Sequence, residues 1–232
     1  MKPINHENAE RKEKSKRIYT VFKQCFDFCF SLICSVILLI PLLLLAILIM
    51  LNDWGCPFYF HERIGKNGRP FRMLKLRSMK KGADNLFESL GAEKMNEYLI
   101  EYKLEEDPRL IGYSKPGDGK TCFGALLRRL SLDEIPQVMW NILIKGDMSF
   151  VGPRPVMREE LDKYYTPEEQ ALLLSVKPGL TGYWQAYARN NVHYADGERQ
   201  RMELFYIQNR SLLLDIKILF ATVGAVLHKR GW

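Results

Sequence analysis

Hydrophobic positions follow three patterns along the 232-residue chain, and the first is continuous. Phe28 to Asn52 is a run of 25 residues without a charge, with Pro41 close to its centre. A bilayer core about 30 Å thick needs about 20 such residues, so the length would allow a spanning helix. Pro41 has no N–H for the carbonyl of Ile37, and its ring crowds that carbonyl, so a straight helix is disfavoured. The proline leaves 13 uncharged residues before it and 11 after it, each too few to cross alone. The flanks carry similar charge: seven Lys or Arg in residues 1–27 and eight in residues 53–81. Cytoplasmic flanks are the ones that collect these residues, and here neither side stands out. The symmetry predicts a kinked, re-entrant helix that dips into one leaflet, with both ends in the cytoplasm. A single tilted, bent span is the competing reading, because a proline is tolerated in some spanning helices. A secretory signal fits poorly, since the apolar core is long and no small-residue cleavage region follows.

The second pattern is alternation. Phe58-Tyr59-Phe60 and Phe71 to Met79 read as two strands, with a turn at Gly65-Lys66-Asn67-Gly68, which predicts a β-hairpin. The third is helical spacing. Helices are expected over 83–106 and Phe123–Leu130, and another from near Pro136 through Trp140. A further one starts at Pro167-Glu168-Glu169 behind a Thr166 cap. Lys177–Ala186 is turn-rich. The charge-free run Ile218–Leu227 has only ten residues, too few to span, and fits an interfacial amphipathic or core helix. The expected architecture is α+β and mainly helical: residues 1–55 form the re-entrant membrane helix, and 56–232 a cytoplasmic catalytic domain with a small hairpin and an interfacial C-terminal helix.

Composition narrows the function classes. Hydrophobic residues make up 47% and aromatics 12%, which excludes a disordered chain. A net charge of +7 suits anionic head groups, nucleotide phosphates or nucleic acid without choosing among them. The five cysteines form an odd set with no Cys-x-x-Cys pair, and the four histidines are scattered. Neither a disulfide frame nor a zinc site is expected.

Four groups of residues could carry chemistry. Asp133 and Glu134 are adjacent acids just before Pro136 and shortly after Arg128 and Arg129. Two such acids can hold Mg²⁺, which completes its shell with water and phosphate oxygens. Ser131-Leu132-Asp133-Glu134 also matches a capping box in which Glu134 reaches back to Ser131, a purely structural alternative. Arg154 lies between Pro153 and Pro155, so its guanidinium is pre-aimed for phosphate, or simply sits in a rigid loop. Lys75 and Arg77 share one face of the second proposed strand, facing an anion or marking a solvated edge. Gly179, Gly182, Tyr183, Trp184, Gln185 and Arg189 combine close backbone approach with stacking and amide groups. Asp215, set in apolar sequence, requires a partner, and Arg128 or Arg129 is the expected one.

The order of these motifs resembles the bacterial monotopic phosphoglycosyl transferases. The elements are the apolar segment broken by Pro41, Lys75-Leu76-Arg77-Ser78-Met79, Ser131 to Gln137, Gly152-Pro153-Arg154-Pro155, and Lys177-Pro178-Gly179-Leu180-Thr181-Gly182. The resemblance implies transfer of a phospho-sugar from a UDP-sugar to undecaprenyl phosphate at the cytoplasmic face of the bacterial inner membrane. It implies release of UMP, a need for Mg²⁺, and a place at the start of capsule, exopolysaccharide or glycoconjugate assembly. Asp133 matches the family's nucleophile and a Mg²⁺ ligand, and Glu134 completes the acidic pair. Lys75, Arg77, Arg154, Gln185 and Arg189 are then expected on the substrate, and Pro41, Arg128 and Asp215 in structural roles. Two departures stand out: Ile40 replaces a serine often found before the proline, and the segment Gly112–Lys120 is longer than usual. Membrane lipids are expected partners and nucleic acid is not; the apolar surfaces would permit a homodimer. Two alternatives remain at this level, a nucleotide-sugar transferase without a covalent step and a non-enzymatic basic membrane-binding module.

Overall fold

The computed structural model describes residues 6–88, 91, 94–96, 98, 104, 106–118, 121–188 and 197–227. Its dominant element is α1, His6–Asp53, 48 residues with a helical backbone continuous through Pro41. At 1.5 Å per residue such a helix is roughly 70 Å long. It ends where Trp54 adopts a positive φ of 52° and donates its N–H to the Met50 carbonyl at 2.7 Å. Among the described residues this is the one helix long and apolar enough to cross a membrane.

Only one stripe of α1 packs on the rest of the protein. Ser31, Ser35, Leu42, Ala46 and Ile49 are buried, at the three- and four-residue spacing that lines one helix face. Val36, Ile37, Ile40, Leu44 and Leu48 remain exposed, Val36 by 71% and Ile40 by 68%. A soluble protein does not leave a continuous aliphatic face of this length in water. The stripe meets the domain at both ends of the apolar run. Before it, Asp27 accepts hydrogen bonds from Ser149 Oγ at 2.7 Å and from the Phe150 N–H at 3.1 Å. Near its end, Leu42, Ala46 and Ile49 form one cluster with Leu76, Ile111 and Leu127.

The predicted hairpin is present: β1 (Phe58–Ile64) pairs antiparallel with β2 (Pro70–Leu76), with Tyr59 opposite Lys75. Asn67 and Gly68 both have positive φ in the turn between them. After α2 (Ala83–Glu88) and α3 (Phe123–Arg129) comes a single 3₁₀ turn, Leu132–Glu134, then a short helix α4 (Ile135–Gln137). The helix expected over 83–106 is described as helix only at α2 and a few later residues; much of the remainder lies outside the described residues. The helix expected from Pro136 widens into a π-helical segment, Val138–Ile144. Inside it Asn141, fully buried, clamps β2. Its Oδ1 accepts the Leu74 N–H and its Nδ2 donates to the Arg72 carbonyl, both at 2.9 Å.

A second pair of strands, β3 (Ser149–Val151) and β4 (Gly179–Thr181), runs parallel. Gly152 just beyond β3 lies so near β4 that an added Cβ would stand 2.6 Å from the Lys177 carbonyl oxygen. Between these strands lie α5 (Arg158–Tyr164) and α6 (Pro167–Leu173), and α6 carries the expected Thr166 cap with Glu169 closing the box. The turn-rich stretch after Lys177 resolves into β4 and a short helix, α7 (Tyr183–Tyr187). The last two helices are α8 (Glu198–Asn209) and α9 (Leu212–Leu227). In α9, Leu213, Ile216, Phe220 and Val223 form an exposed apolar stripe while Asp215 and Ile218 are buried, as expected of an amphipathic helix at an interface.

One expected contact is wrong. Asp215 does not meet Arg128 or Arg129. It accepts from Lys23 Nζ at 2.8 Å, Tyr19 OH at 2.9 Å and Tyr206 OH at 2.8 Å. The last helix is therefore fastened to α1 at Tyr19 and Lys23. Arg128 instead donates to Ser78 Oγ at 2.9 Å and lies 3.8 Å from Asp107.

Candidate active site

The hairpin, the 3₁₀ turn and the loop after β3 converge on a cleft of about 760 Å³. Lys75, Arg77, Arg128, Asp133, Glu134 and Arg154 all line it, so residues spread over 80 positions of sequence are brought together. Lys75 reaches across from β2 to the acidic pair, 2.9 Å from Glu134 Oε1 and 3.5 Å from Asp133 Oδ2. The structural alternative for these acids fails: Ser131 has a left-handed backbone (φ 54°) and its side chain makes no cap hydrogen bond. Glu134 turns to Lys75, and Asp133 is buried on the turn.

Burial pushes the Asp133 carboxyl above its ordinary range. Lys75 opposes that, the neighbouring Glu134 adds to it, and Arg128 opposes it again. A buried carboxylate faced by two cations has few solvent molecules to displace when a ligand enters the cleft.

Arg154 is held by its surroundings as well as by its prolines. Its backbone N–H donates to Glu203 Oε2 at 3.2 Å, and its guanidinium lies 3.6 Å from Glu160. Glu160 is fully buried and also faces Arg63 at 3.7 Å. Burial would raise its carboxyl, but Arg154, Arg63 and Arg199 together hold it below its ordinary value. His61, beside Arg63 on β1, is driven down to about 3 by burial and by Arg63, Lys75 and Arg154. It is a neutral imidazole at physiological pH. Arg77 lies past the end of β2, where its Nε donates to the Cys56 carbonyl at 2.7 Å and its Nη1 to Met79 at 3.3 Å, so backbone fixes its direction.

Gln185 is on α7, outside the lining of this cleft, with its Oε1 buried and without a hydrogen-bond partner among the described residues. Arg189 lies outside the described residues. Sequence reasoning missed His61, Arg63, Asp107 and Arg109, which also line the cleft. Asp107 and Arg109 form a bidentate pair with both contacts at 2.8 Å, a two-residue spacing visible in Asp107-Pro108-Arg109. It also missed Asn141, whose only signal was an amide within the apolar stretch Val138–Ile144.

The cleft therefore presents a ring of cations around two adjacent acids, a site built for a molecule with several phosphate oxygens. The sequence profile of the bacterial sugar transferases matches residues 18–229, nearly the whole chain. The chain belongs to that family. It is 40% identical over 215 residues to the exopolysaccharide production protein ExoY of Sinorhizobium fredii, covering 91% of this chain and 88% of that one. It is 39% identical to the UDP-galactose-lipid carrier transferase of Erwinia amylovora, over 90% of this chain and 41% of that one. It is 36% identical to the undecaprenyl-phosphate galactose phosphotransferase of Salmonella typhimurium, over 94% of this chain and 43% of that one. The chain thus spans most of ExoY but less than half the length of the two larger relatives.

Proposed function

We propose that this sugar transferase moves a sugar 1-phosphate from a UDP-sugar to undecaprenyl phosphate, through a covalent intermediate on Asp133. The observation that carries the reading is the buried Asp133 carboxylate, 3.5 Å from Lys75 and facing Arg128, in a cleft that Arg154 also lines. The names of the Erwinia and Salmonella relatives supply the donor and carrier classes. In the first step an Asp133 oxygen bonds to the sugar-bearing phosphorus while the bond from that phosphorus to the bridging oxygen breaks. The electron pair leaves with UMP. In the second step a phosphate oxygen of the lipid attacks the same phosphorus, the acyl-phosphate bond breaks, and the Asp133 carboxylate returns. Lys75 and Arg128 oppose the burial that raises the Asp133 carboxyl, and Arg154 and Arg77 bind phosphate oxygens as charge shifts towards UMP.

The acidic pair fits a magnesium ion. Both side chains offer hard oxygen donors converging on one cation position, now taken by Lys75 Nζ. Among the described residues no group of three or more acidic, Cys or His ligands forms, so water and donor phosphates would complete the shell. Asp133 and Glu134 would hold Mg²⁺, which when bound neutralises phosphate charge.

The re-entrant placement of α1 belongs to the same proposal. One domain grips Asp27 ahead of the apolar run and Ile49 near its end. A water-soluble domain can do that only if both ends of the run lie on one side of the bilayer, the cytoplasmic face where UDP-sugars are made. This arrangement brings the cleft to the depth of a lipid phosphate.

The test is exchange of radiolabelled UMP into UDP-galactose and UDP-N-acetylgalactosamine without any lipid acceptor. The covalent route predicts exchange by the native enzyme and at least about a 10³-fold loss in Asp133→Asn. Transfer to the lipid without any such exchange, under the same conditions, would establish direct transfer instead.

A further inference from the structure

A second cavity, of about 90 Å³, lies between the Tyr19–Asp27 stretch of α1 and the catalytic domain. It shares no lining residue with the catalytic cleft. Four cations line it, Lys23, Lys66, Lys177 and Arg210, against one acid, Asp27. The acid is already engaged, accepting from Ser149 and the Phe150 N–H. Lys23 is matched by Asp215, and Arg210 donates to the Ile207 carbonyl at 3.3 Å. Lys66, in the hairpin turn, and Lys177, before β4, line the cavity from two other parts of the chain and enter no ion pair among the described residues. Tyr19 and Thr20 line the same wall with their hydroxyls already donated to Asp215 and to the Lys16 carbonyl, and Gln24 adds an amide. Two surplus cations around a space the size of one phosphate form an anion site.

Its height identifies the anion. Tyr19, Lys23 and Asp27 follow at four-residue intervals on one face of α1, and the charge-free run begins at Phe28. The cavity therefore opens where the helix passes from aqueous to apolar surroundings, the level at which bilayer head groups lie. We propose that it binds the phosphate of an anionic phospholipid head group, held mainly by Lys66 and Lys177. The inference rests on the interfacial placement of α1, not on the chemistry at Asp133, so it is tested without turnover.

The full chain is purified in a mild detergent with added phosphatidylglycerol or phosphatidylcholine, and bound lipid is read by native mass spectrometry. Phosphatidylglycerol is expected to be retained in preference to phosphatidylcholine, with about a tenfold or greater loss in Lys66→Gln/Lys177→Gln. Lys115→Gln/Lys163→Gln, which removes the same charge outside the cavity, should retain lipid like the native chain. Equal loss in both double variants would reduce the effect to net charge and overturn the site. Displacement of nothing but inorganic phosphate, with no lipid retained by the native chain, would overturn the lipid assignment. Circular dichroism of each variant shows that the comparison is made on folded protein.

Discussion

Asn141 is the side chain on which the geometry of Lys75 depends, although it touches neither acid. Its amide satisfies two backbone groups of β2, Leu74 N–H and Arg72 C=O, each at 2.9 Å, on either side of Met73, two residues before Lys75. Asn141→Leu keeps the volume and removes both partners. An orphaned buried backbone group costs about 1–3 kcal/mol, so the pair sums to about 2–6 kcal/mol. For a domain of this size that corresponds to a drop of roughly 5–20 °C in unfolding temperature. The drop is read by intrinsic fluorescence in detergent, with Trp140 next in sequence as a reporter. Asn141→Asp retains the acceptor for Leu74 but sets a carboxylate oxygen against the Arg72 carbonyl, and it should lose at least as much. In both variants UMP exchange should fall further than the folded fraction, because β2 no longer presents Lys75 at 2.9 Å from Glu134. An Asn141→Leu protein that melts within about 1 °C of the native chain and exchanges UMP normally would refute this account.

Lys75→Met removes the strongest influence holding Asp133 ionised, so the Asp133 carboxyl should rise further. The acid limb of the UMP-exchange profile should move to higher pH by about one unit, measured by initial rates. Glu203, fully buried, is raised to about 7, mainly by burial, with Arg199 and Arg154 opposing. An acid whose folded value exceeds its unfolded value lends stability that is complete below the unfolded value and lost as pH rises towards 7. Glu203→Gln should flatten that fall by up to about 3 kcal/mol, measured by denaturant titration from pH 4.5 to 8. Asp215→Asn weakens the hold on Lys23 and should cost about 3–5 kcal/mol, with Lys23→Met in the same chain recovering part of it. Gly152→Ala forces a methyl against the Lys177 carbonyl and the Gly179 amide, so it should separate β3 from β4 and lower phosphate affinity at Arg154. Donor binding isotherms report that change.

What the sequence revealed follows the range of the interaction. The Thr166 cap, the hairpin turn at Asn67-Gly68 and the apolar stripe of α9 are decided by residues within a few positions of one another. The grouping of Lys75, Asp133 and Arg154 was legible through the order of motifs shared with a known family, which put all three on one substrate. Asp215 shows where sequence reading stops. It needed a cation, and Arg128 was near the acids in sequence, yet the cations that reach it are fixed by topology: Lys23 lies 192 residues away. The Ser131–Glu134 pattern failed for a related reason, since Lys75 on another element offered Glu134 a charged partner stronger than a backbone amide. Asn141 was hidden because one amide in an apolar run looks like an interruption until the strand it serves is in view.

The seam between α1 and the domain, from Tyr19 through Asp27 to Ile49, determines how the enzyme meets its carrier. In the proposed re-entrant placement, anchor and catalytic head, welded along that seam, drift through the leaflet as one raft and cannot swivel on a tether. The polyprenyl tail of the proposed acceptor must then do the searching, arriving sideways until its phosphate falls into a mouth kept at constant depth.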